Sequence, residues 1–241
     1  MKAAHLEWLI SALRSPSDIA QIEPGSKCTD EGLLSAAFEH GVVGSVYRSL
    51  AAVPTTNPAL LEGFRTAACI QSARSCVLAG ELIEIVALFR KYRIGTLALK
   101  GPALSMLAYG HVAVRTFCDL DVLVLPEDMA KATEVLLEQG YQVLVPRPDE
   151  FDANYRKDVR LYRAADGITV ELHWALHLPR MHVPVDMAGI WERRQIVNIC
   201  NHAIPALSNE DTILYLCVHG TFTTGPVSSG SAISHIFFNL P

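Results

Sequence analysis

Apolar residues recur at helical spacing through the N-terminal part of the chain. The first such run is Leu6, Leu9, Ile10 and Leu13. Residues 29–52 and 57–92 continue the same period, and Thr29 stands before two acidic residues in the position of a helix N-cap. Acidic side chains favour the first turn of a helix because they face the positive end of its dipole. The pattern therefore predicts a helical N-terminal region over residues 1–92.

The pattern changes at Ile94 to short apolar runs separated by helical ones. The sequence predicts strands at TLALK (96–100), DLDVLVL (119–125) and YQVLV (141–145), with a helix after each of the first two. Residues 158–174 predict a β-hairpin, because the turn dipeptide Asp166-Gly167 divides two apolar runs. Strands that alternate with helices and end in a hairpin indicate an α/β (α+β) fold with a mixed sheet.

Helical spacing returns after Trp174, and the last residues of the chain are rich in Gly and Ser. We therefore predict three regions. They are the helical region at 1–92, a mixed-sheet core at 93–182, and a helical C-terminal region at 183–241. The tail of the third region is interpreted as a loop or as a truncated end. No internal repeat divides these regions further.

The composition is that of a globular protein with no general affinity for nucleic acid. Half of the 241 residues are hydrophobic and 19% are charged, which is enough apolar material for a sizeable core. The net charge of -5 gives no global basic field, so a polyanionic substrate would need a metal ion or a focused cluster of Arg and Lys. No apolar window reaches membrane-spanning length, and the N-terminus lacks the core of a signal peptide. We predict a cytoplasmic protein with reduced cysteines.

Asp119 and Asp121 stand on either side of a leucine at the start of the second predicted strand. Side chains at positions i and i+2 of a strand share a face, so the two carboxylates repel each other unless a cation lies between them. Glu171 lies in a later apolar strand, and the three carboxylates meet if the two strands are neighbours. Such oxygen ligands suit Mg²⁺, and a set of three suits a two-metal phosphoryl-transfer site. Each acid alone is more simply a solubilising or arginine-paired residue, but together they favour a metal site.

The segment ALKGPAL, which precedes these acids, is a strand, a glycine and a helix start. Gly101 allows the backbone to approach a phosphate, the helix start favours an anion, and Lys100 adds a positive charge. Arg115 lies four residues before Asp119 and is a further candidate for a phosphate contact, with an ordinary surface charge as the alternative. The region therefore predicts an anion-binding turn next to the acids.

Three stretches, LALKGPALSMLAYG, VRTFCDLDVLVLPEDM and ITVELHWAL, together resemble the uncharacterised nucleotidyltransferase family of the DNA polymerase β-like superfamily. The resemblance runs from about Leu97 to Trp174 and continues weakly through LSNEDTILYLCVHGT. It implies a small mixed β-sheet nucleotidyltransferase core at 93–182, flanked by N-terminal and C-terminal helices.

The resemblance also implies a reaction, in which an NMP group moves from an NTP to an acceptor hydroxyl with Mg²⁺ (or Mn²⁺) as the cofactor. Asp119 and Asp121 would hold the metal ions. Glu171 would complete the second metal site and help to deprotonate the acceptor. The nucleotide-binding residues would be Lys100, Gly101 and Arg115. The base preference is left open, as is the acceptor, which could be a small molecule, a protein or an RNA.

Two features depart from the superfamily pattern. Gly101 is followed by Pro102 where many members carry a serine, so Lys100 and backbone amides would have to contact the phosphates. The Gly/Ser-rich end also replaces the helical sequence with which such relatives usually continue. A catalytically inactive nucleotide-binding protein of the same fold is therefore the main alternative.

A zinc-dependent hydrolase is a weaker alternative, based on the closely spaced residues Glu171, His173, His177 and His182. Their spacing matches no zinc motif. His173 is more simply a packing residue, or one that supports the site from behind. His219, on the apolar face of a predicted helix, is expected to be a core histidine.

Overall fold

The computed structural model describes residues 2–14, 28–52, 57–144, 156–178 and 181–223. These residues form two compact units. The first contains the described residues up to Cys76 together with Ala113–Thr116, and the second contains those of Val77–Val112 and Phe117–Thr223. The Gly/Ser-rich tail lies outside the described residues.

Helices make up the first unit. They are α1 (Lys2–Arg14), α2 (Asp30–Glu39), α3 (Val43–Ala51) and the first part of α4 (Pro58–Lys91). Thr29 caps α2 as predicted, because its side-chain oxygen accepts a 3.1 Å hydrogen bond from the backbone N–H of Gly32. Gly41, with a φ of 66°, separates α2 from α3, so residues 29–52 form two helices. The core of this unit includes the stacked rings of Trp8 and Phe64, whose centroids lie 6.5 Å apart.

A mixed β-sheet forms the centre of the second unit. Its strands are β1 (Leu97–Ala98), β2 (Asp119–Leu123), β3 (Gln142–Val143), β4 (Asp158–Arg163), β5 (Ile168–His173), β6 (Gln195–Ile199) and β7 (His202–Ala206). Among the described residues, the order across the sheet is β3-β4-β5-β2-β1-β7-β6. Because β2 runs parallel to β5 and antiparallel to β1, the sheet is mixed, as the sequence predicted.

Helices pack around this sheet. They are α5 (Gly101–Tyr109), α6 (Met129–Glu138), α7 (Met187–Glu192), α8 (Asn209–Thr223) and the second part of α4. The fold is therefore the mixed-sheet core with flanking helices that the resemblance implied. In the part of the chain that the structure describes, no helix is both long and apolar enough to cross a membrane.

The two faces of β2 contribute to different apolar clusters. Leu120 and Val122 belong to the large cluster that also contains residues of α4 and α6. Leu123 belongs to a smaller cluster with Tyr215 of α8. Successive residues of a strand alternate between faces, so Asp119 and Asp121 share the face of Leu123. The acids therefore lie on the side of the sheet where α8 packs.

The structure adds a hairpin that was not predicted to the helical C-terminal region that the sequence indicated. Helices α7 and α8 are present, but β6 and β7 form an antiparallel hairpin between them, in which Ile199 pairs with His202. The two turn residues, Cys200 and Asn201, have φ values of 47° and 66°. Positive φ at both central residues gives the turn whose twist matches that of the two strands.

Candidate active site

The three predicted carboxylates come from two neighbouring strands. β2 and β5 run parallel, and their register sets Asp121 beside Glu171 and Asp119 beside Thr169. Residues that lie directly opposite across two strands share a face, so the three carboxylates project to the same side of the sheet. The side chains of Asp121 and Glu171 are only 3% and 12% exposed. The strand pairing thus sets Asp121 and Glu171 side by side in a largely buried site, with the half-buried Asp119 on the same face.

Two cationic side chains contact the carboxylates of Asp121 and Glu171. Lys100 Nζ is 3.1 Å from Asp121 Oδ1. Arg160 Nε donates a 3.0 Å hydrogen bond to Glu171 Oε1, and the two residues lie directly opposite each other in the β4–β5 pair. Hydrogen bonds between ionised partners are stronger than neutral ones. Asp121 and Glu171 are therefore both compensated by positive charges of the chain itself.

The two aspartates have opposite electrostatic environments. Burial would raise the pKa of Asp121, but the hydrogen bond from His173 and the charge of Lys100 outweigh it and hold the pKa well below its usual range. Burial and the nearby charges of Asp121 and Glu171 raise the pKa of Asp119, and no cation in the described part of the chain pairs directly with it. Asp119 is thus the carboxylate whose charge the chain compensates least.

His173 holds Asp121 through a chain of hydrogen bonds. The ring is completely buried, with Nδ1 3.2 Å from Lys157 Nζ and Nε2 3.1 Å from Asp121 Oδ1. A lysine ammonium group can only donate, so Nδ1 must accept, and this pattern assigns the ring proton to Nε2. Potential ligand atoms of Asp121, Glu171 and His173 lie within 4.8 Å of one another, and Asp119 does not belong to this group. Because Nε2 donates to Asp121, His173 orients that carboxylate and has no lone pair at Nε2 for a metal.

The turn after β1 brings Lys100 and a helix start to the same place. Gly101 has a φ of 59°, a left-handed value that favours glycine, and a side chain there would approach the carbonyl oxygen of Asp119 to 3.5 Å. Helix α5 begins at Gly101, and the hydroxyl of Ser105 within it donates to the carbonyl of His111 at 2.8 Å. Lys100 and the backbone N–H groups of the first turn are therefore what this segment offers to an anion.

A cleft of about 430 Å³ opens beside these groups. Its charged lining residues are Lys100, Asp119, Lys157, Asp158, Arg160 and Glu171. The remaining walls are formed by histidine and apolar side chains, among them Leu176 and His177. A volume of this size is typical of a pocket for a small molecule. The second unit thus combines the predicted acids with a cavity in which a substrate could reach them.

Two further residues of this cleft were not among the predicted site residues. His219, expected in the core, lies in the cleft wall with Nε2 3.5 Å from Lys100 Nζ. Burial and the charge of Lys100 lower the pKa of His219 to about 4, so the ring is neutral at neutral pH. Lys157 precedes Asp158, which lies opposite His173 across β4 and β5. The only mark of Lys157 in the sequence was the run of basic residues around it, because its place beside His173 depends on strand pairing.

The other predicted residues lie elsewhere or play no part in the acidic group. Arg115 belongs to the first unit, where its backbone carbonyl accepts a 3.5 Å hydrogen bond from Ser75 Oγ. The phosphate contact expected of Arg115 stays a prediction. His177 lies in the cleft wall and His182 is exposed, and neither belongs to the group of possible metal ligands found among the described residues.

The mixed sheet, the glycine turn before α5 and the acids on adjacent strands are the features by which the sequence resembles a nucleotidyltransferase. Residues 27–226 match the family described as uncharacterised nucleotidyltransferase. The chain belongs to this family, which confirms the resemblance seen in its sequence. A search of curated proteins gave no significant match.

Three solved structures are similar to this chain at low identity. The lincosamide antibiotic adenylyltransferase LnuA, with lincomycin bound, is 18% identical with a TM-score of 0.45, over 64% of this chain and 92% of that one. The antibiotic-resistance factor ANT(2'')-Ia is 14% identical with a TM-score of 0.47, over 67% and 82%. An antigenic nucleotidyltransferase-like protein from Paracoccidioides brasiliensis is 16% identical with a TM-score of 0.40, over 71% and 73%. Family membership rests on the family match.

Proposed function

We propose that this chain transfers a nucleoside monophosphate from an NTP to an acceptor hydroxyl, with a divalent cation held by Asp119, Asp121 and Glu171. The observation that carries the proposal is the parallel register of β2 and β5, which sets Asp121 beside Glu171 with Asp119 on the same face. Membership of the nucleotidyltransferase family supports the reaction class.

The donor set fits Mg²⁺ or Mn²⁺. Three carboxylates supply the oxygen ligands that such hard cations prefer, and Asp119 is the one whose charge the chain compensates least. His173 adds no nitrogen ligand, because its Nε2 donates to Asp121. The all-oxygen set therefore argues against the zinc-dependent hydrolase. A divalent cation bound here would neutralise charge on the phosphates during transfer.

Residues of the chain would position the two substrates. Lys100 and the N–H groups at the start of α5 would contact the triphosphate. Glu171 would accept the proton of the acceptor hydroxyl while the oxygen of that hydroxyl bonds to the α-phosphorus. The bond from the α-phosphorus to the bridging oxygen breaks, and pyrophosphate leaves with that oxygen. Catalysis would come mainly from positioning and charge neutralisation.

A catalytically inactive nucleotide-binding protein of the same fold is the second candidate. The 3.1 Å contact of Lys100 Nζ with Asp121 Oδ1 compensates Asp121 without a metal. If this contact persists when a nucleotide is bound, the acids would not assemble a metal site, and binding would occur without transfer.

Titration calorimetry with each NTP, in Mg²⁺ or in EDTA, tests the proposal. We expect binding that requires Mg²⁺ and weakens at least about tenfold in Asp119→Asn, because a ligand to the cation is lost. The matched control is Glu138→Gln, which changes an exposed acid at the end of α6 and should leave the affinity unchanged. Equal affinity with and without the metal would contradict the proposal.

Pyrophosphate release then separates the transferase from the inactive candidate. Purified protein is incubated with Mg²⁺, NTP and a panel of hydroxyl-bearing sugars, antibiotic-like small molecules, proteins and RNA ends. Release above the level of Glu171→Gln supports transfer. Metal-dependent binding with no release for any acceptor supports the inactive candidate.

A further inference from the structure

A second cleft, of about 390 Å³, lies in the second unit at the opposite end of β1. Thr96, which precedes β1, lines this cleft, whereas Lys100, which follows β1, lines the cleft beside Asp119 and Glu171, which we call the acidic cleft. We call the second cleft the arginine cleft, because its charged lining residues are Arg90, Arg93 and Arg194. It shares no lining residue with the acidic cleft, so a ligand bound there would occupy a separate site.

The charge of the arginine cleft is of one sign. No acidic residue lines it, and among the described residues none of its three guanidinium groups forms an ion pair. Arg90 donates to the carbonyl of Ala203 at 3.4 Å, and Arg194 donates to the carbonyl of Trp191. Guanidinium groups have further donors and bind carboxylate or phosphate in a planar, bidentate fashion. The lining of the cleft therefore favours a negatively charged ligand.

The backbone conformation of Arg93 is a second observation that indicates a functional role for this cleft. Arg93 ends α4 in the left-handed conformation, with a φ of 58°. The N–H of Arg93 donates to the carbonyl of Arg90, and the N–H of Ile94 donates to the carbonyl of Phe89. These two hydrogen bonds are the pattern of a Schellman cap. Glycine is the favoured residue at this position, because a side chain there is strained.

Other helix ends of the chain follow that preference. Gly41, Gly110 and Gly140 hold the left-handed positions after α2, α5 and α6, with φ values of 66°, 68° and 83°. An arginine kept in a strained position is often a functional residue, and here it lies in the wall of a cleft. The strain and the unpaired charge thus point to the same residue.

The apolar part of the lining indicates the shape of the ligand. Val86, Ile94 and Trp191 contribute apolar surface. The Trp191 ring packs against Gly95, where an added Cβ would come within 3.3 Å of ring atom Cζ3. An indole ring offers a flat surface on which a planar group can stack. The cleft therefore suits a molecule with a charged end and a flat apolar end.

We propose that the arginine cleft binds a small organic anion, with its phosphate or carboxylate held by Arg90, Arg93 and Arg194 and its flat apolar body against Trp191. The volume matches a small-molecule pocket. A nucleic-acid strand fits less well. Proteins usually bind such a strand along an extended basic groove, and the net charge of this chain is -5. The lining offers the hydroxyl of Thr96, which donates to the carbonyl of Ile94 at 3.2 Å, and no lining side chain is a general base that could activate it, so the inference is of binding and not of a second reaction.

Indole signals in ¹H–¹⁵N NMR spectra test this proposal directly. The chain has three tryptophans, and the Trp191 signal is assigned from its loss in Trp191→Phe. Phenyl phosphate, benzoate and inorganic phosphate are titrated in EDTA, which keeps a metal-dependent nucleotide site from contributing. We expect the Trp191 signal to move with phenyl phosphate or benzoate, and the tighter of the two identifies the charged group. Inorganic phosphate, which lacks the apolar body, should bind more weakly.

Variants of Arg93 separate binding from folding. Arg93→Gln should weaken the affinity for the tighter aromatic anion about tenfold. Arg93→Gly should weaken it as much while leaving Tm equal or about 2 °C higher, because the strain is removed. Arg48→Gln, an exposed arginine of the first unit, is the matched control. A Trp191 signal that no probe moves, or an affinity unchanged in both Arg93 variants, would overturn the proposal. Tighter arginine-dependent binding of a short single-stranded oligonucleotide would replace it with a nucleic-acid site.

Discussion

The acidic cleft and the arginine cleft lie at opposite ends of β1 and treat charge in opposite ways. In the acidic cleft, Lys100 lies 3.1 Å from Asp121 and Arg160 lies 3.0 Å from Glu171, so each of these carboxylates is paired with a positive group. In the arginine cleft the charges have one sign. A charge that the fold itself neutralises is part of the folded structure, whereas one that the fold leaves uncompensated is available to something outside the chain.

The two clefts also differ in how deeply their charged groups are buried. Asp121 is 4% exposed and His173 is completely buried, whereas the three arginines of the arginine cleft are exposed. Charges interact more strongly in the low dielectric of the interior than at a surface, where water and salt screen them. We therefore expect loss of a buried, paired charge such as that of Asp121 to lower stability, and loss of an arginine side chain from the arginine cleft to act mainly on binding.

The largest effect is expected from Asp121→Ala. This change removes the carboxylate that both Lys100 and the Nε2–H of His173 contact. Breaking a buried charge pair from one side costs about 3–5 kcal/mol, and we expect the free energy of unfolding to fall by that amount. Urea denaturation followed by circular dichroism measures it.

Asp119→Ala is the matched control for that experiment. Asp119 is two residues away on the same face, but burial and two neighbouring carboxylates raise its pKa, and no cation of the described residues pairs directly with it. Its removal should leave the free energy of unfolding within about 0.5 kcal/mol of the wild-type value, or raise it. Equal destabilisation by the two substitutions would remove the distinction between compensated and uncompensated charges.

A smaller loss is expected from His173→Leu. The substitution removes the donor to Asp121 and the acceptor of Lys157 while keeping an apolar side chain in the buried site. A hydrogen bond to a charged group contributes about 1.5–3 kcal/mol, so we expect a loss of that size in urea denaturation. Unchanged stability combined with loss of bound zinc would show instead that His173 is a metal ligand.

The acids were identifiable from the sequence because strand geometry is local. The alternation of side chains fixes Asp119 and Asp121 on one face wherever β2 lies. The partner of Asp121 was not fixed in this way, because the register that sets Glu171 beside it joins strands distant in the chain. The role of His173 depends on the same long-range pairing, since its two partners, Lys157 and Asp121, come from different segments.

Two other features gave no recognisable signal. The β6–β7 hairpin turns at Cys200 and Asn201 without the glycine that usually marks such turns, and Pro205 within β7 weakens the strand pattern. The arginine cleft combines Arg90 and Arg93 with Arg194, about a hundred residues further along the chain. Local periodicity in the sequence therefore predicts helices and strands. A site that tertiary packing assembles can be predicted only when the chemistry of its individual residues indicates it.

Asp211→Asn extends the comparison to a charge pair outside both clefts. Arg193 donates two 2.7 Å hydrogen bonds to Asp211, in the first turn of α8, and these bonds lower the pKa of Asp211. We expect Asn to lower the free energy of unfolding by about 1 kcal/mol at neutral pH, because the pair is only partly shielded from water. Ser208, which also bonds to Asp211, stays in place.

The pH dependence of that effect follows from the direction of the shift. A carboxyl whose pKa is lowered by folding stabilises the native state above its unfolded value of about 3.9, and this contribution is lost as the pH falls through the folded value. The difference between wild type and Asp211→Asn should therefore shrink below about pH 4 in urea denaturation. A difference that is constant with pH would show that packing, and not charge, is responsible.

The smallest effect is expected from Arg194→Gln, measured beside Arg193→Gln. The two arginines are adjacent in the chain, but Arg193 pairs with Asp211 and Asp186, whereas Arg194 makes no ion pair among the described residues. Arg194→Gln should leave the free energy of unfolding within about 0.5 kcal/mol, as for an ordinary surface position, while Arg193→Gln should lower Tm measurably. If Arg194→Gln is instead the more destabilising of the two, the positive charge of the arginine cleft belongs to the folded structure and is not available to a ligand.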